Sequence, residues 1–417
     1  MMKSIDIFKK TFDHVKNYGL KSFKTYSLYY TKKLCKKPVK LIKIHYRTKS
    51  ISKPDKYLGN YNTYINSRDI EIFNKKFKIQ NTENFNNYSL KNYKKTSSHS
   101  NKLLLFSSLL LNDSEKFVDN DLTVNVMSSA RNSGWAVRQY FGSPLKNSPY
   151  VLEKERISEF ENILNEFEPD ILCMDSNFQI HHKTFSYEAL INFKKKYGFK
   201  VLMFVPDFEV KKLKYWGTEF ADFIQYSRPS LRNKINFITD SKLICLPGIT
   251  YDESSFISNF EKEYDIYYSG SDTRQRKIFL NAAQNTNLKV KAIYGNRMSD
   301  KSPNYELYKV ELSKSRMTFS NGYITKKNSL IAGRFIESIL SQSVCLYEEC
   351  LDVNTFFQPY LHYVPVKNIH EFVKSAQYLK LNLERLKTIS SESYDYYMEN
   401  YSSKLFWNYL ASRIVNN

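Results

Sequence analysis

The feature that most constrains this chain is a series of short apolar runs, each closing on a turn or polar residue and most of them alternating with helix-like stretches. Leu103–Leu111, Ile171–Met174, Lys200–Val205, Asp265–Tyr268 and Val344–Tyr347 have this form. Such runs lack the in–out alternation of a half-exposed strand, so they suit strands covered on both faces, and strands alternating with helices imply parallel βαβ units. Further strands are expected at Trp135–Phe141, Asp222–Tyr226, Leu243–Leu246, Lys289–Tyr294, Met317–Ser320 and Tyr363–Val366. The last contains Pro365, which suits a sheet edge. Helices are expected over Val151–Phe167, Phe185–Tyr197 (stopped by Gly198), Arg274–Asn285, Tyr305–Ser313, Ser329–Gln342, His370–Tyr378 and Leu381–Val415.

The pattern breaks at Leu246-Pro-Gly-Ile-Thr-Tyr-Asp252 and then restarts, so the fold class is α/β with two Rossmann-like domains facing across a cleft. The expected divisions are a basic extension and linker at 1–101, a first domain at 102–255 and a second at 256–417. Residues 58–101, rich in Asn, Lys and Tyr, read as a linker or a loosely ordered extension.

Composition narrows the class. Hydrophobic residues make up 42% and charged residues 25% of the 417, a globular balance. No apolar run approaches the ~18 residues of a membrane span, and no secretory signal is visible. The net charge of +21 is concentrated at one end: residues 1–100 hold 23 Lys/Arg against 6 Asp/Glu. Cys35, Cys173, Cys245, Cys345 and Cys350 include no CxxC pair and no His at ligand spacing, which argues for buried thiols in a reducing compartment rather than zinc or disulfides.

Several segments, in order, resemble the GT-B glycosyltransferases. Glu168-Pro-Asp-Ile-Leu-Cys-Met-Asp175 is similar to an acceptor-domain strand and loop of that superfamily, and Leu246–Phe256 to its interdomain linker. Tyr264–Arg276 is similar to the first strand and loop of its donor domain, and Gly333–Leu346 to its nucleotide-binding helix and next strand. The likeness is greatest to the family-1-like branch that includes spore-maturation-type transferases, and it spans about residues 102–415. Retaining members carry two glutamates eight positions apart on this segment. Glu337 matches the second and Ser329 stands in place of the first, so the stereochemical outcome stays open.

The resemblance implies transfer of a sugar from a nucleotide-sugar donor to a cell-surface glycan or lipid-linked acceptor. The departing diphosphate needs positive charge or a helix N-terminus. The donor-site candidates are Gly270, Ser271, Arg274, Arg276, Asn328, Ser329, Arg334 and Glu337. Arg334 and Glu337 are three apart and share a helix face, with Arg334 expected toward the diphosphate and Glu337 toward the ribose. A plain salt bridge on an exposed face would give the same spacing. In the first half, Asp175, His181, His182 and Asp207 occupy strand-end loops, where an inverting enzyme would keep its base. No DxD pair offers a Mg²⁺ site, so no cofactor and no metal is expected.

Two other classes fit parts of the chain. The basic N-terminal region with interleaved Tyr and Phe suits nucleic-acid binding, although residues 101–417 are nearly neutral; a GT-B scaffold without catalysis is the other. The expected location is cytoplasmic, with residues 1–57 attaching peripherally to an anionic membrane at its inner face. Ile5, Phe8, Phe12 and Val15 fall on one face of a possible helix ringed by Lys3, Lys9, Lys10 and Lys16. Sedimentation with anionic vesicles checks this: the full chain should pellet and a chain lacking the basic segment should not, and equal pelleting removes the idea.

Overall fold

The computed structural model describes residues 65–78, 88–91, 101–108, 110–111, 117–118, 121–142, 153–175, 185–205, 219–256, 260–295, 303–321, 323–325, 328–329 and 331–415. The expectation for residues 1–57 lies outside them.

Two all-parallel sheets organise the chain. The first has six strands: β1 (Lys102–Ser108), β4 (Ala136–Gly142), β5 (Ile171–Asp175), β6 (Lys200–Val205), β7 (Phe223–Tyr226) and β8 (Leu243–Cys245), in the order β4-β1-β5-β6-β7-β8. The second has five: β9 (Tyr264–Gly270), β10 (Val290–Tyr294), β11 (Ser315–Ser320), β14 (Val344–Glu348) and β15 (Val364–Val366), in the order β10-β9-β11-β14-β15. Two short hairpins, β2/β3 (Leu110–Leu111 with Phe117–Val118) and β12/β13 (Tyr323–Thr325 with Asn328–Ser329), complete the strands. The two-domain Rossmann-like class expected from the apolar runs is the class observed, and Pro365 does lie on an edge strand.

The helices are α1 (Ser67–Lys78), α2 (Asp121–Asn132), α3 (Glu153–Phe167), α4 (Tyr187–Tyr197), α5 (Arg274–Gln284), α6 (Tyr305–Ser313), α7 (Gly333–Leu340), α8 (Leu351–Asn354), α9 (Ile369–Leu381), α10 (Leu383–Tyr401) and α11 (Ser403–Val415). Gly198 ends α4 in the left-handed region at φ 72°, where a side chain would be strained. α5 and α9 cover one face of the second sheet, where Phe279, Phe319 and Phe372 pack as a buried aromatic group. The last helix, α11, packs instead on α2 beside the first sheet: Trp407 lies 5.2 Å from Trp135 and donates its indole N–H to Ser129 at 3.0 Å. Cys173, Cys245, Cys345 and Cys350 are buried free thiols.

Four readings need correction. The helix expected from Ser329 starts only at Gly333, because 328–329 pair with β12. The single helix expected over Leu381–Val415 is cut at Asn382 and Ser402, both in non-helical backbone. The run Leu103–Leu111 is split between β1 and β2. Residues 67–78, read as linker or loosely ordered extension, form a docked amphipathic helix. Its Phe73 and Phe77 are 4% and 5% exposed, and Phe77 stacks on Tyr378 of α9 at 5.3 Å. Polar contacts fix the same helix: Lys374 to Asp69 at 2.7 Å, Lys76 to Glu371 at 2.6 Å, and the Tyr378 hydroxyl to Asn74 at 2.6 Å. Apolar residues at 70, 73 and 77 supply the stripe, which Asn and Lys neighbours dilute in composition. The vesicle test therefore needs its cut at residue 62, so that α1 stays in place.

Phe77→Ala should lower unfolding free energy by about 3 kcal/mol, the usual cost of emptying a buried phenylalanine site, measured by denaturant titration. Amides of 70–78 that exchange as fast as free peptide in the wild type would show that α1 is not part of the folded core.

Candidate functional site

In open parallel sheets, ligands sit beyond the C-terminal strand ends where strand order reverses. In the second sheet that point lies between β9 and β11, since β10 and β11 flank β9 on opposite sides. β9 ends at Ser269 and Gly270, and β11 at Ser320, with Asn321 following. Three elements bring side chains here.

The first is α7. Arg334, in its first turn, donates from Nη2 to the Ser269 carbonyl and lies over the Tyr268 ring at 4.6 Å. Gly270 makes that approach possible: a Cβ there would collide with Arg334 Nη2 and stand 3.0 Å from the Tyr268 hydroxyl. Burial alone would lower the Arg334 pKa; the phenols of Tyr308 and Tyr268 and the Glu337 carboxylate outweigh it and raise it. Its Nε is buried with no hydrogen-bond partner, and so is the Ser320 hydroxyl.

The second is α5, capped by Thr273, whose hydroxyl accepts the Arg276 N–H at 3.4 Å. Arg274 is exposed and Arg276 is half-buried. Arg276 donates from Nε to Asn321 at 2.8 Å and from Nη1 to the Ser271 carbonyl at 3.4 Å, and its guanidinium lies 5.9 Å from the Tyr268 ring. Burial pulls its pKa down. The third is the end of β14, where Glu348 accepts from Gln275 at 2.8 Å; burial pushes its carboxyl up, while bonds from Asn321 and Gln275 hold it back.

Glu337, one turn along α7 from Arg334, is only 2% exposed, which excludes an exposed surface salt bridge. It accepts from the Tyr308 hydroxyl at 2.8 Å and the Tyr305 hydroxyl at 3.4 Å. Burial first, then the Glu337 charge, drives the Tyr308 phenol well above its ordinary pKa. Tyr305 in turn accepts from Asn125 of α2 at 2.8 Å, which links the carboxylate to the first half of the chain.

The structure thus brings Gly270, Ser271, Arg276, Arg334 and Glu337 together around β9, α5 and α7 and leaves Arg274 at the rim. Asn328 and Ser329 stand in β13, ahead of α7 rather than within it. Asp175 ends β5 beside β1, the reversal point of the first sheet. His181, His182 and Asp207 lie outside the described residues. Among the described residues no group of three or more His, Cys, Asp or Glu is placed to hold a metal, and no helix is long and apolar enough to cross a membrane.

Sequence reasoning missed Tyr268, Tyr305, Tyr308, Asn321 and Glu348. Tyr305 and Tyr308 carried a usable signal, being three apart on the face of α6 that meets Glu337. Tyr268 carried none, because a strand tyrosine reads as core.

No family model and no curated protein matches the sequence. Solved structures do match in shape. Anabaena Alr3699/HepE in complex with UDP and glucose aligns at TM-score 0.52 and 9% identity, over 76% of this chain and 100% of that one. A glycosyltransferase from Rickettsia africae ESF-5 aligns at TM-score 0.52 and 12% identity, over 76% and 100%. The HepE complex with UDP-glucose aligns at TM-score 0.51 and 9% identity, over 76% and 99%. The chain has the GT-B fold.

Gly270→Ala tests the close approach. The colliding atom is the far end of a flexible side chain, but Gly270 stands at φ 158°, where other residues are strained, so the stability cost should be about 1–3 kcal/mol. Displacing Arg334 should weaken inorganic pyrophosphate about tenfold by calorimetric titration; unchanged affinity would mean that Arg334 serves packing only.

Proposed function

We propose that the protein is a nucleotide-sugar-dependent glycosyltransferase that moves a sugar onto a cell-surface glycan or lipid-linked acceptor. The observation that carries this is the pair of guanidinium groups around Tyr268 at the reversal point of the second sheet. Two guanidinium groups held around one ring attract an oxyanion and can bond it through their forked ends. The shape likeness to a protein solved with UDP-glucose supports the same ligand class.

In this reading the donor diphosphate lies over Ser269–Ser271, held by Arg334 and Arg276, with Arg274, Asn328 and Ser329 at the margin. Charge developing on the leaving diphosphate is stabilised by guanidinium groups already oriented by Tyr268, Ser269 and Asn321. Glu337, positioned by Tyr308 and Tyr305, accepts the ribose hydroxyls. On the first half, Asp175, His181, His182 and Asp207 are the candidates to take the acceptor hydroxyl's proton, or to hold the donor sugar if configuration is retained. The basic N-terminal segment would bring the enzyme to an anionic membrane surface where a lipid-linked acceptor resides.

A thermal-shift screen with UDP-, GDP-, CMP- and dTDP-sugars should find one that stabilises the fold. Calorimetry with the corresponding nucleoside, nucleoside diphosphate and sugar nucleotide then separates the roles. Arg334→Ala should weaken the two phosphorylated ligands and leave the nucleoside unchanged. Glu337→Gln keeps an acceptor for Tyr308 and should weaken all three. Each loss should be about 1.5–3 kcal/mol, roughly tenfold to a hundredfold. Unchanged affinity for every ligand in both variants would remove this donor site.

A further inference from the structure

Arg228 follows β7, beyond the C-terminal end of the first sheet. The residue after it is Pro229, which opens a 3₁₀ turn over Pro229–Ile235 and biases Arg228 away from helical backbone; it stands at φ −133°, ψ 83°. The turn is pinned from the other half of the chain: Asp352 of α8 accepts from the Ser230 N–H at 2.9 Å and from the Ser230 hydroxyl at 3.0 Å. Arg228 therefore sits where residues beyond the C-terminal ends of β7 and β14 meet.

Its side chain is in an unusual state. Arg228 is only 4% exposed, and its Nε is buried with no hydrogen-bond partner. Among the described residues nothing accepts from its Nη atoms. Nε alone among its nitrogens is sealed off, so the forked end of the guanidinium borders accessible space. Asp352 and Cys350 are near enough to favour the charge, yet burial prevails and lowers the pKa. A guanidinium is a five-donor planar fork matched to carboxylate and phosphate. Holding it buried and unbonded is costly unless a ligand completes it.

We propose that Arg228 anchors a second oxyanion site, which takes a carboxylate or phosphate borne by a substrate, in addition to the site of Arg334 and Arg276. Different elements carry the two: Arg334 and Arg276 stand on α7 and α5 around β9, whereas Arg228 follows β7 of the other sheet. Assigning the oxyanion to a glycosyl substrate rests on the function proposed above; the anion site itself does not.

The test uses the full chain and inorganic phosphate as probe, with wild type, Arg228→Gln, Arg228→Lys and Arg334→Ala. In phosphate-free buffer Arg228→Gln should melt at or above the wild-type temperature, because it removes an uncompensated buried charge. Its phosphate affinity should fall about tenfold, with Arg228→Lys intermediate, and its loss should add to that of Arg334→Ala, as separate sites require. A lower melting temperature in Arg228→Gln with unchanged phosphate affinity would overturn the proposal and make Arg228 a structural counter-ion of Asp352. Comparing UDP-glucose with UDP-glucuronic acid separates the sources. A tenfold preference for the uronate that vanishes in Arg228→Gln puts the oxyanion on the donor; equal binding puts it on the acceptor. Failure of both sugar nucleotides to bind would count against the proposed donor and leave the phosphate result standing.

Discussion

The Arg334 guanidinium, laid on the Tyr268 ring and donating to the Ser269 carbonyl, is the interaction on which the second half of the site depends. It joins the first turn of α7 to the end of β9, so helix and strand meet at the place where strand order reverses. Gly270 is its precondition, since a side chain there would occupy the space of the guanidinium. Arg276 reaches the same tyrosine from α5 and is fixed by Asn321 after β11. Elements distant in sequence thus orient two cations around one ring before any ligand arrives, which is the preorganisation that anion chemistry requires.

The same helix ties the site to the rest of the fold. Ile336 packs against Gly248 of the connecting segment, at 3.3 Å from where a Cβ would stand, and Gln225 of β7 donates to the Gly248 carbonyl at 2.6 Å. Glu337 connects through Tyr305 to Asn125 on α2, and the same helix receives Trp407 of α11 through Ser129. Ser129 also bonds to Thr250 in the connecting segment at 3.2 Å. The carboxylate assigned to the ribose is therefore one tyrosine away from the first half, and a shift of α2 against α6 would be felt at Glu337. That path is a run of contiguous hydrogen bonds between α7, α6 and α2.

What could be read from the sequence followed from burial. Fully covered strands such as Ile171–Asp175 and Lys200–Val205 announce themselves as apolar runs, because both faces meet helices. Gly198 announces a helix end because few other residues tolerate its backbone. α2 was not legible: Asp121–Asn132 contains Thr, Val, Asn and Ser, poor helix formers, and it is held by tertiary contacts through Asn125, Ser129 and Ala130. α1 was hidden by its Lys and Asn neighbours. At the site, charge was legible and aromatics were not. Arg276, Arg334 and Glu337 are charged residues in the two segments that resemble a donor domain, whereas Tyr268, Tyr305 and Tyr308 vanish among 33 tyrosines. Arg228 gave no signal, since a single arginine before a proline reads as an ordinary turn.

Buried charge elsewhere shows how this fold treats ions it keeps for stability. Asp265 is 2% exposed and is met by Lys380 at 2.8 Å, Arg316 at 3.2 Å and the Lys289 N–H at 2.8 Å. Asp69 and Lys374, each mostly covered, pair at 2.7 Å. Glu253 is bonded by both the N–H and the hydroxyl of Ser403. In each case the polar atoms are met by partners on another element, and the ion ties two elements together. Arg228 departs from this pattern, with neighbouring charge but no side-chain hydrogen bond among the described residues. Arg334 departs in part, with its Nη2 bonded and its Nε left over. Both departures lie at or just beyond C-terminal strand ends, the edge at which parallel sheets take ligands, whereas Asp265, Asp69 and Glu253 do not. Position and unmet bonding coincide, which is what separates a charge reserved for a ligand from a charge that holds the fold.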